Sequence, residues 1–459
     1  TSGRYDGSSK FPVNEMWGFF PSASAAWRIS EEKFMEGTRS WLDNLKLRFS
    51  VGALGNGNVD PYKFLPTMSI DKTGVIVGDG QVNYTSYPGL IPNNLTWEKV
   101  TTYDVGVDVD MFKNRLTIGF DWYRRNTTDM YTVGPTLPEV LGTTQPKGNY
   151  ANLKTKGWEL ILSWRDNFKL AGSDFHYGVK FMLWDSQSWI TKYNNATGKL
   201  SDYYEGYRIG DIWGYNIEGL FTSYDEIANH ADQDYIKISD SKIWQPGDLK
   251  FADLNGDGKI DKGAQTLSDH GDLVIVGNEE ERYHYGFNLN VGWKGIGISA
   301  FFQGVGKRDW YPGQETGFFW GKYNRPYGYS LKMHENRWTE ENPNPNAYWP
   351  RLVGYSSENG GRPMGTPNNR YMQDASYLRL KALTVDYSLP QAWVSKLGLT
   401  GLKIYFTGEN LFTFSNICEN FDPEVIKGGD VDLKDRKGEE QGYSYPMLKT
   451  YTVGLNVSF

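Results

Sequence analysis

The segment Tyr451-Thr-Val-Gly-Leu-Asn-Val-Ser-Phe459 at the carboxy terminus decides the fold. If it is extended, one of its sides carries Tyr451, Val453, Leu455, Val457 and Phe459, and the other carries Thr452, Gly454, Asn456 and Ser458. An apolar side that alternates with a small or polar side is the period of a half-buried strand. A closing strand that lies against lipid and ends on an interfacial aromatic residue is typical of transmembrane β-barrels. The segment therefore predicts the last strand of such a barrel.

The same alternation recurs upstream, over residues 45–53, 103–111, 158–164 and 283–293. Strands of about ten residues are long for a soluble sheet and suit a tilted membrane crossing. A large soluble sandwich or jelly roll alternates too, so alternation by itself leaves both classes open. We predict eleven antiparallel strands, near residues 16–29, 44–54, 97–111, 116–130, 153–166, 174–184, 282–293, 296–305, 376–388, 401–412 and 446–459.

The lengths of the connections separate the two classes. Short joins (30–43, 112–115, 167–173, 294–295 and 389–400) alternate along the chain with long ones (55–96, 131–152, 185–281, 306–375 and 413–445). Up-and-down barrels of the outer membrane have short periplasmic turns and long extracellular loops. The rhythm therefore predicts an all-β, up-and-down transmembrane β-barrel, and it leaves the carboxy terminus in the periplasm.

The composition agrees with this fold class. No stretch approaches eighteen consecutive apolar residues, so the sequence predicts no transmembrane helix. The 31 tyrosines and 17 tryptophans suit aromatic girdles and ring-stacking surfaces. A single cysteine, Cys418, cannot form an internal disulfide. The net charge of -7 argues against a nucleic-acid partner.

The number of strands indicates a larger barrel. Eleven is odd, whereas bacterial single-chain barrels have an even number of strands. An open sheet edge in lipid would leave unpaired backbone groups, each of which costs several kcal/mol. We therefore expect residues 1–459 to form the carboxy-terminal part of a single barrel domain, completed by further strands or by another chain.

Short motifs in family order resemble the SusC-like TonB-dependent outer-membrane transporters of Bacteroidetes. None is specific alone, but together they extend over nearly the whole chain. They are Arg4–Phe11, Trp17–Glu32, Asn44–Ser50, Trp97–Gly106, Asp121–Tyr123, Gly210–Tyr215, Asp253–Asp261, Phe301–Gly304, Ser376–Lys381, Gly408–Leu411 and Phe421–Glu424.

The resemblance implies a barrel of about 22 strands, of which this chain would supply the second half. It implies TonB-dependent import of oligosaccharides or peptides beneath a SusD-like surface lipoprotein that acts as a lid. It also implies two transporter–lipoprotein pairs per assembly, surrounded by lipid or lipopolysaccharide, and no enzymatic activity. The plug and the TonB-contacting segment have no counterpart in these residues, so contact with TonB would be made by an amino-terminal region that is absent from this chain.

One loop has the spacing of a calcium site. Asp253, Asn255, Asp257 and Asp261 occupy positions 1, 3, 5 and 9 of a calcium loop, and the backbone carbonyl of Lys259 would supply position 7. The glutamate expected at position 12 is replaced by Ala264, for which Asp269 or Asp272 could substitute. The alternative is an Asx-rich turn whose side chains bond their own backbone.

Several polar residues are expected to face the lumen. Asp104, Asp108 and Asp110 alternate with apolar residues, and His284 falls on the polar side of its own strand. We predict that the three carboxylates make the lumen wall acidic and hydrated. The spacing of the histidines predicts no zinc site.

The long loop 306–375 is rich in aromatic residues, which could stack on sugar rings, grip peptide side chains or contact the lid. The alternative is that this large loop packs on itself, because a long ordered loop must bury something. The candidates for ligand or lid contact are Trp310, Trp320, Tyr323, Tyr327, Trp338 and Trp349.

Two hypotheses about function follow. The first is an outer-membrane nutrient importer in which this chain forms half of the barrel wall and its outer loops. The second is a soluble all-β protein that binds or cleaves glycans. A requirement for detergent or lipid separates them.

Overall fold

The computed structural model describes residues 1–92, 94–134, 137–138, 140, 145–236, 244–313, 316–323, 328–352, 364–426 and 444–459. Within these residues the fold is built from strands. They are β1 (Ser2–Gly7), β2 (Trp17–Arg28), β3 (Leu42–Asn56), β4 (Ile70–Val77), β5 (Gly80–Thr85), β6 (Glu98–Met111), β7 (Leu116–Val133), β8 (Lys147–Leu170), β9 (Ser173–Lys192), β10 (Asp211–Gly214), β11 (Ile217–Leu220), β12 (Leu249–Phe251), β13 (Val274–Asn278), β14 (Arg282–Trp293), β15 (Ile296–Lys307), β16 (Asp309–Trp310), β17 (Gln373–Asp374), β18 (Tyr377–Ser388), β19 (Gly401–Ser415) and β20 (Thr450–Ser458).

The helices are short. Among the described residues three are α-helical, namely α1 (Tyr224–Ala228), α2 (Gly317–Trp320) and α3 (Gln391–Val394). The 3₁₀ helices are Ile29–Glu31, Lys33–Thr38, Asp234–Ile236, Gly321–Tyr323, Lys332–Glu335 and Ser395–Leu397. In the described part of the chain, no helix combines the length and the apolar character that a membrane span requires.

Twelve of these strands form one sheet in the order β1-β2-β3-β6-β7-β8-β9-β14-β15-β18-β19-β20, so its neighbours follow one another along the chain without a crossover. All eleven strands predicted from the sequence are present in it. The smaller pairs, β4-β5, β10-β13, β11-β12 and β16-β17, lie within the predicted long connections.

The sequence analysis predicted no strand before residue 16, but the structure has one there. Ser2–Gly7 is β1, and it pairs antiparallel with β2 so that Tyr5 lies opposite Phe19. The segment is short and mostly polar, so it shows no apolar alternation, and its backbone pairing with β2 makes it a strand.

Two of the short joins are tight because their backbones are left-handed. Phe112, Lys113 and Asn114 have φ of 58°, 61° and 57°, and Lys294-Gly295 has φ of 49° and 84°. Two consecutive residues of positive φ make the turn whose twist matches antiparallel strands. The longer short join at 389–400 contains α3, in agreement with the helical turn predicted there.

The chain forms two compact units. The first comprises residues 1–160 and 186–209, and the second comprises residues 161–185 and 210–459. A buried cluster that includes Phe11, Phe20 and Trp97 lies in the first unit. Another cluster, centred on Ala300, Leu380 and Leu411, lies in the second.

Each unit carries an exposed apolar sheet face. In the first unit Phe49, Tyr103 and Trp122 are exposed. In the second unit the exposed residues include Ile404, Val453 and Leu455. Soluble proteins seldom leave large contiguous apolar patches uncovered, so these faces require a non-aqueous neighbour. In each unit we call the exposed apolar side of the sheet the apolar face and the opposite side the polar face.

Candidate functional site

Charged side chains are interlocked on the polar face of β3, β6 and β7. Arg48 contacts both carboxylate oxygens of Asp108, through Nε at 2.8 Å and Nη2 at 3.0 Å. Its Nη1 lies 2.8 Å from an oxygen of Asp121. Gly106 is the cross-strand neighbour of Arg48, and a Cβ added there would lie 2.7 Å from the guanidinium carbon. Glycine therefore leaves the room in which Arg48 reaches both acids.

The other predicted lumen-facing carboxylates lie on this same face. Asp110 accepts hydrogen bonds from Asn44 at 3.2 Å and from Thr117 at 2.9 Å. Asp104 lies opposite Tyr123 in the register, and Lys46 Nζ is 3.8 Å from Asp108. The structure thus adds partners for the carboxylates that the sequence analysis did not single out. Strand parity could place these residues on one face, but the pairs depend on the register between strands.

His284 lies on β14 in the second unit. Its ring stacks on Trp184, with ring centres 5.3 Å apart and planes 5° from parallel. Its Nδ1 is 3.7 Å from Glu281, whose other carboxylate oxygen accepts a hydrogen bond from Arg308 at 2.9 Å. These contacts position His284 among polar groups, and they include no nucleophile and no metal ligand set.

The aromatic loop forms a core of its own. Trp349 stacks on Tyr323, with centroids 5.1 Å apart, and on Tyr371, at 5.2 Å. The polar ring atoms bond to backbone: Trp349 Nε1 donates to Met333 at 3.0 Å, and Tyr323 Oη donates to Pro350 at 2.7 Å. Trp310, Trp320, Tyr323, Trp338 and Trp349 are all buried.

The surroundings of these five rings therefore match the alternative in which the loop packs on itself, and the rings are not available to a ligand at the surface. Tyr327, the sixth candidate, lies outside the described residues. Trp338 also covers Gly247, where a Cβ would lie 2.4 Å from its indole. The number and spacing of the aromatic residues in the sequence could not distinguish a ligand platform from a core.

His334 belongs to this aromatic core, although the sequence analysis gave it no role. Its Nδ1 accepts a hydrogen bond from the Leu331 backbone at 2.9 Å, and its Nε2 lies 2.8 Å from the Phe319 carbonyl. This arrangement requires the neutral ring with its proton on Nε2. Burial lowers the pKa of His334 from its ordinary value of 6.5, and the charge of Arg337 lowers it further.

Two of the family-like motifs meet in a buried ionic cluster. Arg379, on β18, lies 2.5 Å from Asp422 and 2.6 Å from Glu424. Lys381 lies 2.8 Å from the second oxygen of Glu424, and Thr413 accepts a bond from Arg379 at 2.8 Å. In this cluster the motif Ser376–Lys381 supplies the cations, and the motif Phe421–Glu424 supplies the anions. The ion pairs between them fix a loop on the sheet.

The aspartate-rich loop is held together by hydrogen bonds to its own backbone. Asp253 accepts from Gly256 at 2.7 Å and from Gly258 at 2.9 Å. Asp257 accepts from Lys259 at 2.8 Å, and Asp261 accepts from Gly263 at 2.7 Å. These are the contacts of the Asx-turn alternative.

Asp272 was a candidate to replace the ligand missing at position 12 of the calcium loop, but both of its carboxylate oxygens already accept hydrogen bonds. It is fully buried, and its two oxygens accept from the backbone of Leu254 at 2.7 Å and of Asp261 at 2.9 Å. Among the residues that the structure describes, no three acidic, histidine or cysteine side chains converge as a metal site. Calcium binding by this loop therefore stays a prediction.

Comparison with known proteins agrees with this architecture. Residues 1–236 match the family described as TonB dependent receptor-like, beta-barrel. A TonB-dependent receptor of Formosa agariphila is 29% identical, over 99% of this chain and 43% of the relative. The TonB-dependent receptor SusC of Bacteroides thetaiotaomicron is 26% identical, over 99% of this chain and 41% of the relative.

A solved structure shows the same fold. The RagAB peptide transporter superposes with a TM-score of 0.72 at 23% identity, over 100% of this chain and 45% of the transporter chain. The chain thus spans less than half the length of the curated relatives it matches. The strand order, the two-faced sheet and the match over residues 1–236 lead to one conclusion: this chain belongs to the TonB-dependent receptor-like β-barrel family, a family of outer-membrane receptors and transporters.

Proposed function

We propose that this chain forms part of the wall and the outer loops of a TonB-dependent importer that takes up oligosaccharides or peptides. Its apolar face lies in the outer membrane and its polar face lines the path of the cargo. A SusD-like surface lipoprotein covers the outer loops, and TonB acts through a region outside this chain. The carboxy terminus lies in the periplasm.

The observation that carries this proposal is the two-faced sheet. On β6, Tyr103 and Val105 are exposed on one face. On the other face Asp108 is ion-paired with Arg48. A sheet with hydrocarbon on one side and water on the other is stable with both faces in these states.

The paired charges suit a passage for neutral or zwitterionic cargo. Arg48 is shared between Asp108 and Asp121, and Lys46 lies near Asp108, so part of the negative charge of this face is offset. A hydrated wall of paired charges offers hydrogen bonds without holding one ion tightly. Sugars and peptides both meet this requirement, and neither class is favoured by these contacts.

The alternative of a soluble protein that binds or cleaves glycans accounts poorly for the same observations. A soluble protein would leave the apolar face in contact with water. It would also need exposed aromatic side chains on which glycans could stack. The five described candidate rings are buried instead. Family membership also argues against an enzyme.

The test uses the full-length transporter and its native lipoprotein in a strain from which both genes are deleted. We expect restored cells to accumulate either labelled oligosaccharides or labelled peptides. Uptake should stop when TonB is absent or the proton gradient is collapsed. Uptake that persists without TonB would indicate a passive pore and contradict the proposal. Failure to import either class, with the protein correctly folded in the outer membrane, would contradict it too.

A further inference from the structure

A small cleft lies on the first unit, between the outer-loop ends of β8 and β9 and the loop around residue 205. Its volume is about 300 Å³, and its lining includes Lys154, Lys156, Trp189 and Glu205. None of these residues takes part in the ion pairs of the polar face. The cleft is therefore separate from the proposed cargo path, and its chemistry needs another explanation.

Strand parity places the cleft on the apolar face. Thr155 and Ser188 join β8 to β9 by a hydrogen bond of 2.8 Å between their hydroxyls. Gly157 lies beneath the ring of Tyr123, a polar-face residue, at 2.4 Å from an added Cβ. Successive strand side chains point to opposite faces. Lys154 and Lys156 therefore project from the face opposite to Thr155 and Gly157.

The lysines lie just beyond the apolar part of that face. Along β8 the side chains on this face are Lys154, Lys156, Trp158 and Leu160 in order, at a spacing of roughly 6.7 Å for every second residue. Because β8 begins after a long loop, the lysines are nearer the outer-loop end than Trp158. Aromatic residues mark the boundary between hydrocarbon and headgroups. The two ammonium groups are therefore at headgroup level.

The cleft carries an excess of positive charge. Within the described residues neither lysine forms an ion pair; Lys154 Nζ lies 5.8 Å from the centre of the Trp189 ring. Arg124 on β7 is not part of the lining, but it projects from the same face as the lysines because it adjoins Tyr123. It is exposed and donates a hydrogen bond to Asn126 at 3.1 Å. Glu205 is the acidic residue of the lining. A cation at a lipid surface is stabilised by an anionic partner.

We propose that this cleft binds the phosphate group of an outer-leaflet lipid headgroup. Lys154 and Lys156 contact the phosphate, and their methylene stems lie along the barrel wall. Trp189 supplies an apolar surface for the adjoining sugar or glycerol. The site anchors lipid to the barrel and is independent of which cargo the transporter carries, so its failure would leave the proposed import intact.

The test is native mass spectrometry of the full-length transporter in detergent. The probes are lipid A with one phosphate, the same lipid after phosphatase treatment, and inorganic phosphate. We expect the Lys154→Ser/Lys156→Ser variant to bind the phosphorylated lipid about 30-fold more weakly than the unaltered protein. A Lys154→Arg/Lys156→Arg variant should retain binding, because it keeps the charge. A Lys72→Ser/Lys199→Ser variant, which changes two exposed lysines elsewhere in the first unit, should bind normally.

Each other outcome overturns the proposal. Equal affinity of the unaltered protein for the phosphorylated and dephosphorylated lipids would mean that the cleft does not recognise phosphate. Equal losses of both lipids in the serine variant would mean that contact is apolar only. Inorganic phosphate that displaces the lipid at similar concentration would indicate a site for a free anion. The mobility of the serine variant in heated and unheated gels shows whether it folds. If it does not fold, the test is whether the unaltered protein binds the phosphorylated lipid more tightly than the dephosphorylated lipid.

Discussion

Large apolar side chains are exposed in one region of the second unit and buried in another. On β20, Val453 and Leu455 leave 75% and 65% of their surface exposed. In the loop after β16, Trp320 and Trp349 are 0% exposed. Burial of apolar surface contributes about 25 cal/mol per Å² in water, so a region that faces water gains by packing its rings together. The contrast indicates that the loop faces water and that the outward side of β20 does not.

The same contrast explains the hydrogen bonds of the two regions. Loop rings that bury polar atoms must find acceptors, and Trp349 Nε1 does so at the Met333 carbonyl. The outward residues of β20 are valine, leucine and aromatic side chains that need few or no partners. Hydrocarbon offers no hydrogen bonds, so only such residues are stable in contact with it.

The largest expected effect lies in the loop. Replacement Trp349→Ala removes the ring shared by Tyr323 and Tyr371 and should destabilise the loop by about 3–5 kcal/mol. Hydrogen exchange at residues 316–323 and 331–338 should become much faster. The matched control is Trp393→Ala, since Trp393 is 59% exposed. Equal exchange in the two variants would show that the loop does not depend on its aromatic core.

The next effect concerns the apolar face of β20. Replacement Leu455→Arg should destabilise the folded barrel in lipid vesicles by about 2–4 kcal/mol, because a charge then faces hydrocarbon. Asn456→Arg, one residue further on and on the opposite face, should cost much less. Folding into vesicles from urea measures both. Equal costs at the two positions would remove the distinction between the faces.

A smaller effect tests the calcium prediction for the loop of Asp253 and Asp261. If the site binds calcium, ion at ten times its dissociation constant stabilises the loop by about 1.4 kcal/mol. Hydrogen exchange at residues 254–261 should then slow with Ca²⁺ in the unaltered protein but not in an Asp253→Ala variant. If Ca²⁺ changes hydrogen exchange in neither protein, the loop is an Asx turn and not a calcium site.

The smallest expected effect is a pH dependence in the aromatic loop. Because the folded loop lowers the pKa of His334 below its ordinary 6.5, the unfolded loop binds the proton more tightly. The stability due to neutral His334 is full above pH 6.5 and is lost as the pH falls below it. Hydrogen exchange around Phe319 and Leu331 should accelerate between pH 7.5 and 5.5. A His334→Gln variant should show less acceleration. If the variant and the unaltered protein accelerate equally, the pH dependence comes from a group other than His334.

The sequence predicted the regular part of the molecule well because strand alternation is local. Tyr451 to Phe459 alternate without interruption, and all of them except Phe459 lie in β20, which was predicted. Ser2–Gly7 has no such alternation, and its strand depends on pairing with β2, which no local pattern shows. Likewise the faces of Asp104 and Asp108 followed from parity, whereas the contact of Arg48 with Asp121 spans 73 residues and requires the register of three strands.

The loops were less predictable for a physical reason. A tryptophan in a glycine- and proline-rich loop has the same sequence signature whether it faces a sugar or another ring. Burial of Trp320 and Trp349 follows from contacts that only the folded loop brings together. The Asp253 loop is similar, because carboxylates at calcium-like spacing can bond either to an ion or to their own backbone.

The most direct test of the whole account measures which medium surrounds each face. Nitroxide labels at Leu455 and, separately, at Asn456 of the full-length transporter in lipid vesicles should report different relaxing agents. We predict that the label at 455 collides readily with oxygen, which concentrates in hydrocarbon, and is shielded from a water-soluble nickel chelate. The label at 456 should show the reverse preference. Equal access of the nickel chelate to both labels would contradict the placement of the apolar face in the membrane.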